Sequence, residues 1–136
     1  GIQLELGTSA TQFTRAGGTI TGELASCQRY YFRMGGDSNY QRYGTGYSFS
    51  TTRQYIIVNF PVTMRIPPTS LDYLNLSINL GGAGGDYLAS SATIDQSSKN
   101  TAALNVYISA VGSANMPNQL GAQNTLNSYI GFSAEL

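Results

Sequence analysis

At 136 residues, with seven basic and seven acidic side chains, the chain can form one domain with one hydrophobic core, and no net charge draws it toward nucleic acid or an anionic membrane. Histidine is absent and cysteine occurs once, at Cys27, which excludes Ser-His-Asp and Cys-His catalysis, intrachain histidine or thiolate zinc sites, and an intrachain disulfide. Charged residues make up 10% of the chain, against about 25% in an average soluble domain, yet hydrophobic residues reach 41%, so the chain is expected to fold behind a surface wetted by Gly, Ser, Thr, Asn and Gln.

Ile2-Gln3-Leu4-Glu5-Leu6 alternates apolar and polar residues as a half-buried strand does, and this abrupt start reads as part of something longer. It has neither the basic start nor the apolar centre of a leader peptide, and no apolar run approaches the about 18 residues that span a bilayer. Residues 8–21 are polar and carry Gly17-Gly18, as a linker arm would. The organisation expected is therefore a strand and arm over residues 1–20, followed by a domain over residues 21–136. Residues 24–29 can form one helical turn, with Cys27 read as a small buried hydrophobe.

Tyr30-Tyr31-Phe32-Arg33-Met34 predicts an aromatic strand, closed by a turn at Gly35-Gly36-Asp37. Tyr47, Phe49 and Thr51 alternate with polar residues, and residues 55–60 form a continuous apolar and β-branched run that predicts a strand covered on both faces. Pro61, Pro67 and Pro68 place the next segment at an edge or bulge, because proline donates no ladder hydrogen bond. Leu74, Leu76, Ile78 and Leu80 then alternate with Asn75, Ser77 and Asn79, which predicts one strand with its leucines inward. A mobile glycine loop at residues 81–85 precedes a returning strand over residues 87–94. Strands over residues 103–111 and 126–132 follow, separated by a polar loop at residues 112–124 that contains Pro117. About seven or eight strands, with no long helical period, predict an all-β antiparallel β-sandwich or barrel.

The remaining polar chemistry is thin. Glu5, Glu23, Asp37, Asp72, Asp86, Asp95 and Glu135 leave a glycosidase-type carboxylate pair formally open, although Asp37 and Asp86 sit in turn-forming stretches and Glu5 and Glu135 lie near the termini. The 81–85 glycines lack the Lys-Ser/Thr pair and following helix of a phosphate loop. Asn75-Leu76-Ser77 fits a glycosylation sequon, a common match that means nothing in a bacterial host. Asp37, Ser38 and Asn39 show no calcium-loop spacing, so neither a metal nor a cofactor is expected. Ten tyrosines are more than one small core can absorb. Tyr40, Tyr43 and Tyr47, interleaved with Arg42, Gly44 and Gly46, suit sugar stacking or protein contact, and suit cross-strand packing equally.

Three segments carry a family resemblance: Cys27-Gln28-Arg29-Tyr30-Tyr31; Phe60-Pro61-Val62-Thr63-Met64-Arg65 with Pro67-Pro68-Thr69; and Gly131-Phe132-Ser133-Ala134-Glu135-Leu136. In that order they resemble the C-terminal tip domains of bacteriophage tail-fibre and related virion fibre proteins. Residues 1–8 and Ala10-Thr11-Gln12-Phe13 look like the last strand of the jelly-roll module that often precedes such a tip. The resemblance implies a jelly-roll-like β-sandwich in a homotrimer, located on the virion, binding a bacterial surface glycan or protein receptor and catalysing nothing. Arg29 and Arg65 would hold backbone or a partner chain. Receptor contact would fall on loops 35–47, 81–87, 95–101 and 112–124, with Asp37, Asn39, Tyr40, Arg42, Tyr43, Asp86, Tyr87 and Asn118 as candidate contacts. The arm at residues 14–20 is richer in Gly and Thr than the family pattern. The competing expectations are a structural trimerisation or head-decoration domain, and a surface-polysaccharide depolymerase.

Overall fold

A computed structural model describes residues 8, 9, 11, 12, 18–81, 85–109 and 114–135, so the strand expected at residues 2–6 lies outside the described residues. Among these, the elements are one helix, α1 (Ile20–Gln28), and nine strands: β1 (Tyr31–Gly35), β2 (Arg42–Ser48), β3 (Arg53–Asn59), β4 (Ser70–Leu74), β5 (Leu76–Leu80), β6 (Asp86–Ser97), β7 (Thr101–Ile108), β8 (Pro117–Ala122) and β9 (Tyr129–Ser133). Six strands close into an antiparallel barrel in the order β2-β3-β7-β6-β5-β8, with β8 pairing back to β2. The other three form an antiparallel sheet in the order β1-β9-β4.

A six-stranded barrel is narrow, and small residues make its closure possible. On β2 the inward positions are Gly44, Gly46 and Ser48. A Cβ at Gly46 would collide with the Tyr55 carbonyl, and one at Gly44 would stand 3.0 Å from the Ile56 and Val58 methyls. Ala92, Ala102 and Ala122 do similar work on β6, β7 and β8, while Ile56, Val58, Ile78, Leu104, Val106 and Leu120 fill the interior. Two register shifts bend β6, at Ala89/Ser91 and Ile94/Gln96, so that a 12-residue strand follows the curve. The interior also holds a polar pair, with Asn118 Nδ2 donating to Gln54 Oε1 at 2.8 Å.

The three-stranded sheet packs its inner face, with Phe32, Ile130 and Phe132, into the same core as the barrel. Phe60, directly after β3, seats its ring edge-on between Phe32 (5.9 Å) and Phe132 (5.0 Å). Met64 is buried beneath this joint, and its backbone N–H donates to Lys99 O across the β6–β7 turn. The Tyr73 hydroxyl accepts from Ala92 N at the first bulge of β6, which ties β4 to the barrel wall.

Several expectations change on this fold. The residues 74–80 read as one strand form two, because Asn75 takes a φ of 50° and passes the chain from the small sheet to the barrel. Asn75 Nδ2 donates to Asn127 O, and its own carbonyl accepts from Gln123 N and Ser128 Oγ, so the left-handed residue is well anchored. Leu76, Ile78 and Leu80 are buried as the alternation predicts, whereas Leu74 faces solvent and Ser77, expected outward, is buried with its hydroxyl 3.4 Å from Gly121 O. Strand β3 is covered on one face only, since Ile57 is 39% exposed while Ile56 and Val58 are fully buried. Residues 117–122, expected in a loop, form β8, with Pro117 at the first position where a missing donor costs little. Residues 42–48, counted in the first loop, form β2. The helix extends over nine residues rather than one turn, capped by the Thr19 hydroxyl accepting from Gly22 N at 3.1 Å. It buries no side chain, and Cys27 on it is exposed rather than buried.

Candidate functional site

Three chain segments converge beside the barrel wall: the β1–β2 loop at residues 36–41, the start of β6, and the loop that follows β8. Tyr40, Gly85, Asp86, Gln123 and Asn124 line an open cleft there of about 730 Å³, within the size range of small-ligand sites.

The cleft walls are held by side-chain bonds between segments distant in sequence. Asn39 Nδ2 donates to Asn124 Oδ1 at 3.0 Å, joining the first loop to the third. Arg42 lies across Gly121 of β8, where any Cβ would crowd its guanidinium, and its Nη1 reaches Asp86 Oδ1 at 2.9 Å. This pair is partly exposed, so it contributes about 0–1 kcal/mol to stability and serves mainly to fix the two groups at the cleft rim. Asp37 accepts from Gln41 Nε2 at 3.1 Å within the same loop. Tyr40 is nearly half exposed and takes a φ of 57°, a conformation uncommon for a bulky residue, which turns its ring out toward the cleft.

Of the eight residues read from the sequence, Tyr40 and Asp86 line the cleft, and Asn39 and Arg42 bond directly to its lining or rim. Asp37 is exposed on the same loop. Tyr87 is half-buried, its ring against Gly85 and the core, so it supports the cleft floor. Tyr43 and Asn118 belong elsewhere. A register shift between Arg42 and Gly44 turns Tyr43 inward, where it is 6% exposed and its hydroxyl lies 3.0 Å from Ser128 O and 3.2 Å from Ser128 Oγ. Burial pushes the Tyr43 phenol above its usual pKa of 10.0, while the Ser128 bond pulls against that shift. Asn118 is inside the barrel with Gln54. Neither presents a contact surface to a macromolecule.

Sequence reasoning did not single out Gln123 and Asn124, although the loop that carries them was named. It also passed over a second polar group on the outer face of the small sheet, where Tyr31, Arg33, Asp72 and Tyr129 meet. The period-two alternation of β1, with Phe32 buried between Tyr31 and Arg33, is the signal that places those two on one outward face. Four carboxylates are each held by different partners: Asp37 by Gln41, Asp72 by two tyrosines, Asp86 by Arg42 and Asp95 by Asn105. Among the described residues, no group of three or more His, Cys, Asp or Glu side chains could hold a metal ion. No family model, curated protein or solved structure matches this chain.

Proposed function

We propose that this chain is a tip domain of a bacteriophage tail fibre or related virion fibre, and that the Tyr40 cleft binds a host-surface receptor, a bacterial glycan, without catalysing its cleavage. The observation that carries the reading is the cleft itself: an out-turned tyrosine, amide side chains at Asn39, Gln123 and Asn124, and a paired Arg42 and Asp86 around one opening. Aromatic faces stack on the C–H faces of sugar rings, and fixed amides and carboxylates take their hydroxyls.

The resemblance gains support from where its three segments fall. Arg65 N donates to Arg29 O, Ala134 N donates to Tyr30 O, and Phe60 sits between Phe32 and Phe132, so the segments meet at one joint away from the cleft loops. The Arg65 guanidinium lies 5.5 Å over the Tyr30 ring at that joint. The segments are scaffold, and the loops around the cleft carry recognition.

The jelly-roll-like character of the fold and the homotrimer belong to the same proposal. Exposed apolar residues favour a partner chain: Ile20 and Leu24 on α1, Tyr47, Ile57 and Tyr107 on the outer wall of β2, β3 and β7, and Phe49 in the β2–β3 turn. That strip also favours a second reading, a trimerisation or head-decoration domain that never touches a receptor. Adsorption to intact host cells, with light scattering on the free domain, separates the two. Receptor binding requires adsorption that falls with Tyr40→Ala and Asn124→Ala. A stable trimer that ignores cells would leave the structural role alone.

A further inference from the structure

Outside the cleft, the solvent face of the small sheet carries a second built group of polar and aromatic side chains. In the β1-β9-β4 register, Arg33, Gly131 and Asp72 stand in one row across the sheet. Gly131, at the centre, leaves room for the tip of Tyr31, whose atoms occupy the space a Cβ would take there. Tyr31 therefore lies down across β9 and reaches from one edge strand to the other, its hydroxyl donating to Asp72 Oδ2 at 3.3 Å. Tyr129 donates to the other oxygen, Oδ1, at 3.1 Å. The Arg33 guanidinium lies 3.8 Å over the Tyr129 ring centroid.

We infer that this face is a second saccharide site, taking a neutral pyranose with a vicinal diol. The chemistry of the group selects that class. Tyr31 is laid over the sheet yet more than a third exposed, which offers a flat apolar surface to a sugar's C–H face. A carboxylate has about four lone-pair positions, and two phenols use only two, so Asp72 can still accept from a pair of adjacent hydroxyls. The phenol oxygens and the Arg33 N–H groups supply the complementary acceptors and donors. Arg33 and Asp72 stand in one row with opposite charges, so the group carries no net charge and favours a neutral ring. The span from β1 to β4 is about 10 Å, room for one such ring. Burial first, then the Asp72 charge, push the Tyr31 phenol up, and the Asp72 hydrogen bond does the same for Tyr129. This site extends the receptor reading but does not depend on the cleft.

The test is an NMR titration of the full chain with methyl α-D-glucopyranoside, methyl α-D-mannopyranoside and methyl α-D-galactopyranoside, following backbone amides. At least one glycoside should shift the amides of Arg33, Asp72, Tyr129 and Gly131. Asp72→Asn should weaken that binding about tenfold or more, as loss of a charged acceptor does. Tyr31→Phe, which removes only one hydroxyl and keeps the ring, should weaken it less and serves if Asp72→Asn does not fold. No shift at those amides with any of the three, or wild-type affinity in both variants, overturns the inference. Shifts confined to Tyr40, Gly85 and Asn124 also overturn it, while leaving the cleft reading in place; adsorption unchanged by the cleft variants, with this sheet still binding sugar, gives the converse.

Discussion

The barrel and the three-stranded sheet solve the edge problem differently, and the polar chemistry follows the difference. The barrel has no free edge, and its wall is built so tightly that Gly44 and Gly46 cannot carry side chains. Among the described residues, the small sheet is open on both sides, with β1 and β4 each paired only to β9. Its outer face is bridged instead by Tyr31 reaching Asp72 across Gly131. A closed wall leaves recognition to the loops around it, whereas an open sheet can recruit its own face. The cleft at Tyr40 and the Tyr31–Asp72 platform are the two outcomes.

The sharpest way to break the comparison is Gly46→Val. Its side chain has to enter the space of the Tyr55 carbonyl, and overpacking against backbone is expected to cost about 3 kcal/mol or more. Urea unfolding of this variant should show a large fall in midpoint, while Gly81→Ala, with its nearest neighbour 3.4 Å away, should change little. A midpoint unmoved by Gly46→Val would mean the barrel is not closed there.

Asn118→Ala is the next largest change. It leaves the buried Gln54 Oε1 without its donor, a loss of about 1–3 kcal/mol, and pairing it with Gln54→Leu should recover much of that. A double-mutant cycle with no coupling between the two would place them apart.

An alkaline titration sharpens the contrast further. Tyr31, Tyr43 and Tyr129 all have pKa values raised in the folded chain, so each contributes stability that is fully present below the unfolded value of about 10.0. As pH rises past that value the unfolded chain releases phenol protons first, and stability falls until the folded pKa is passed. Thermal melts from pH 7 to 11 should therefore drop at the alkaline end, and Tyr43→Phe should flatten that drop by removing its buried phenol. The smallest expected effect on stability is Tyr40→Ala, within about 0.5 kcal/mol, because the side chain is exposed and its adsorption effect should be far larger.

The all-β class was legible in the sequence; individual faces, and the strands at residues 42–48 and 117–122, were less so. Alternation failed wherever the backbone broke its own period. Tyr43 turns inward at a register shift, and Leu74 is left facing solvent because Asn75 changes sheets directly after it. Strand β8 reads Pro-Asn-Gln-Leu-Gly-Ala, a composition of loops, and it is a strand because β2 and β5 offer it two complete edges. The cleft was half visible, through Asn39, Tyr40, Arg42 and Asp86. Its far wall was not, because Gln123 and Asn124 acquire their role only from proximity across 85 residues of chain.

The position of β8 and β9 in the two sheets carries a consequence for how the chain is made. Strand β8 is the seam of the barrel, between β2 and β5, and β9 is the spine of the sheet, between β1 and β4. Both follow the other seven strands among the described residues. During synthesis, everything up to Ile108 can emerge with its hairpins formed, yet neither layer is complete until residues 117–133 arrive. Strands β1, β2, β4 and β5 wait with open edges for that final segment, a non-local pairing that is slow and open to association with other chains. A ribosome that stalls or a protease that cuts before Pro117 therefore releases a chain with four unsatisfied edges, a template for aggregation rather than a shorter version of the domain.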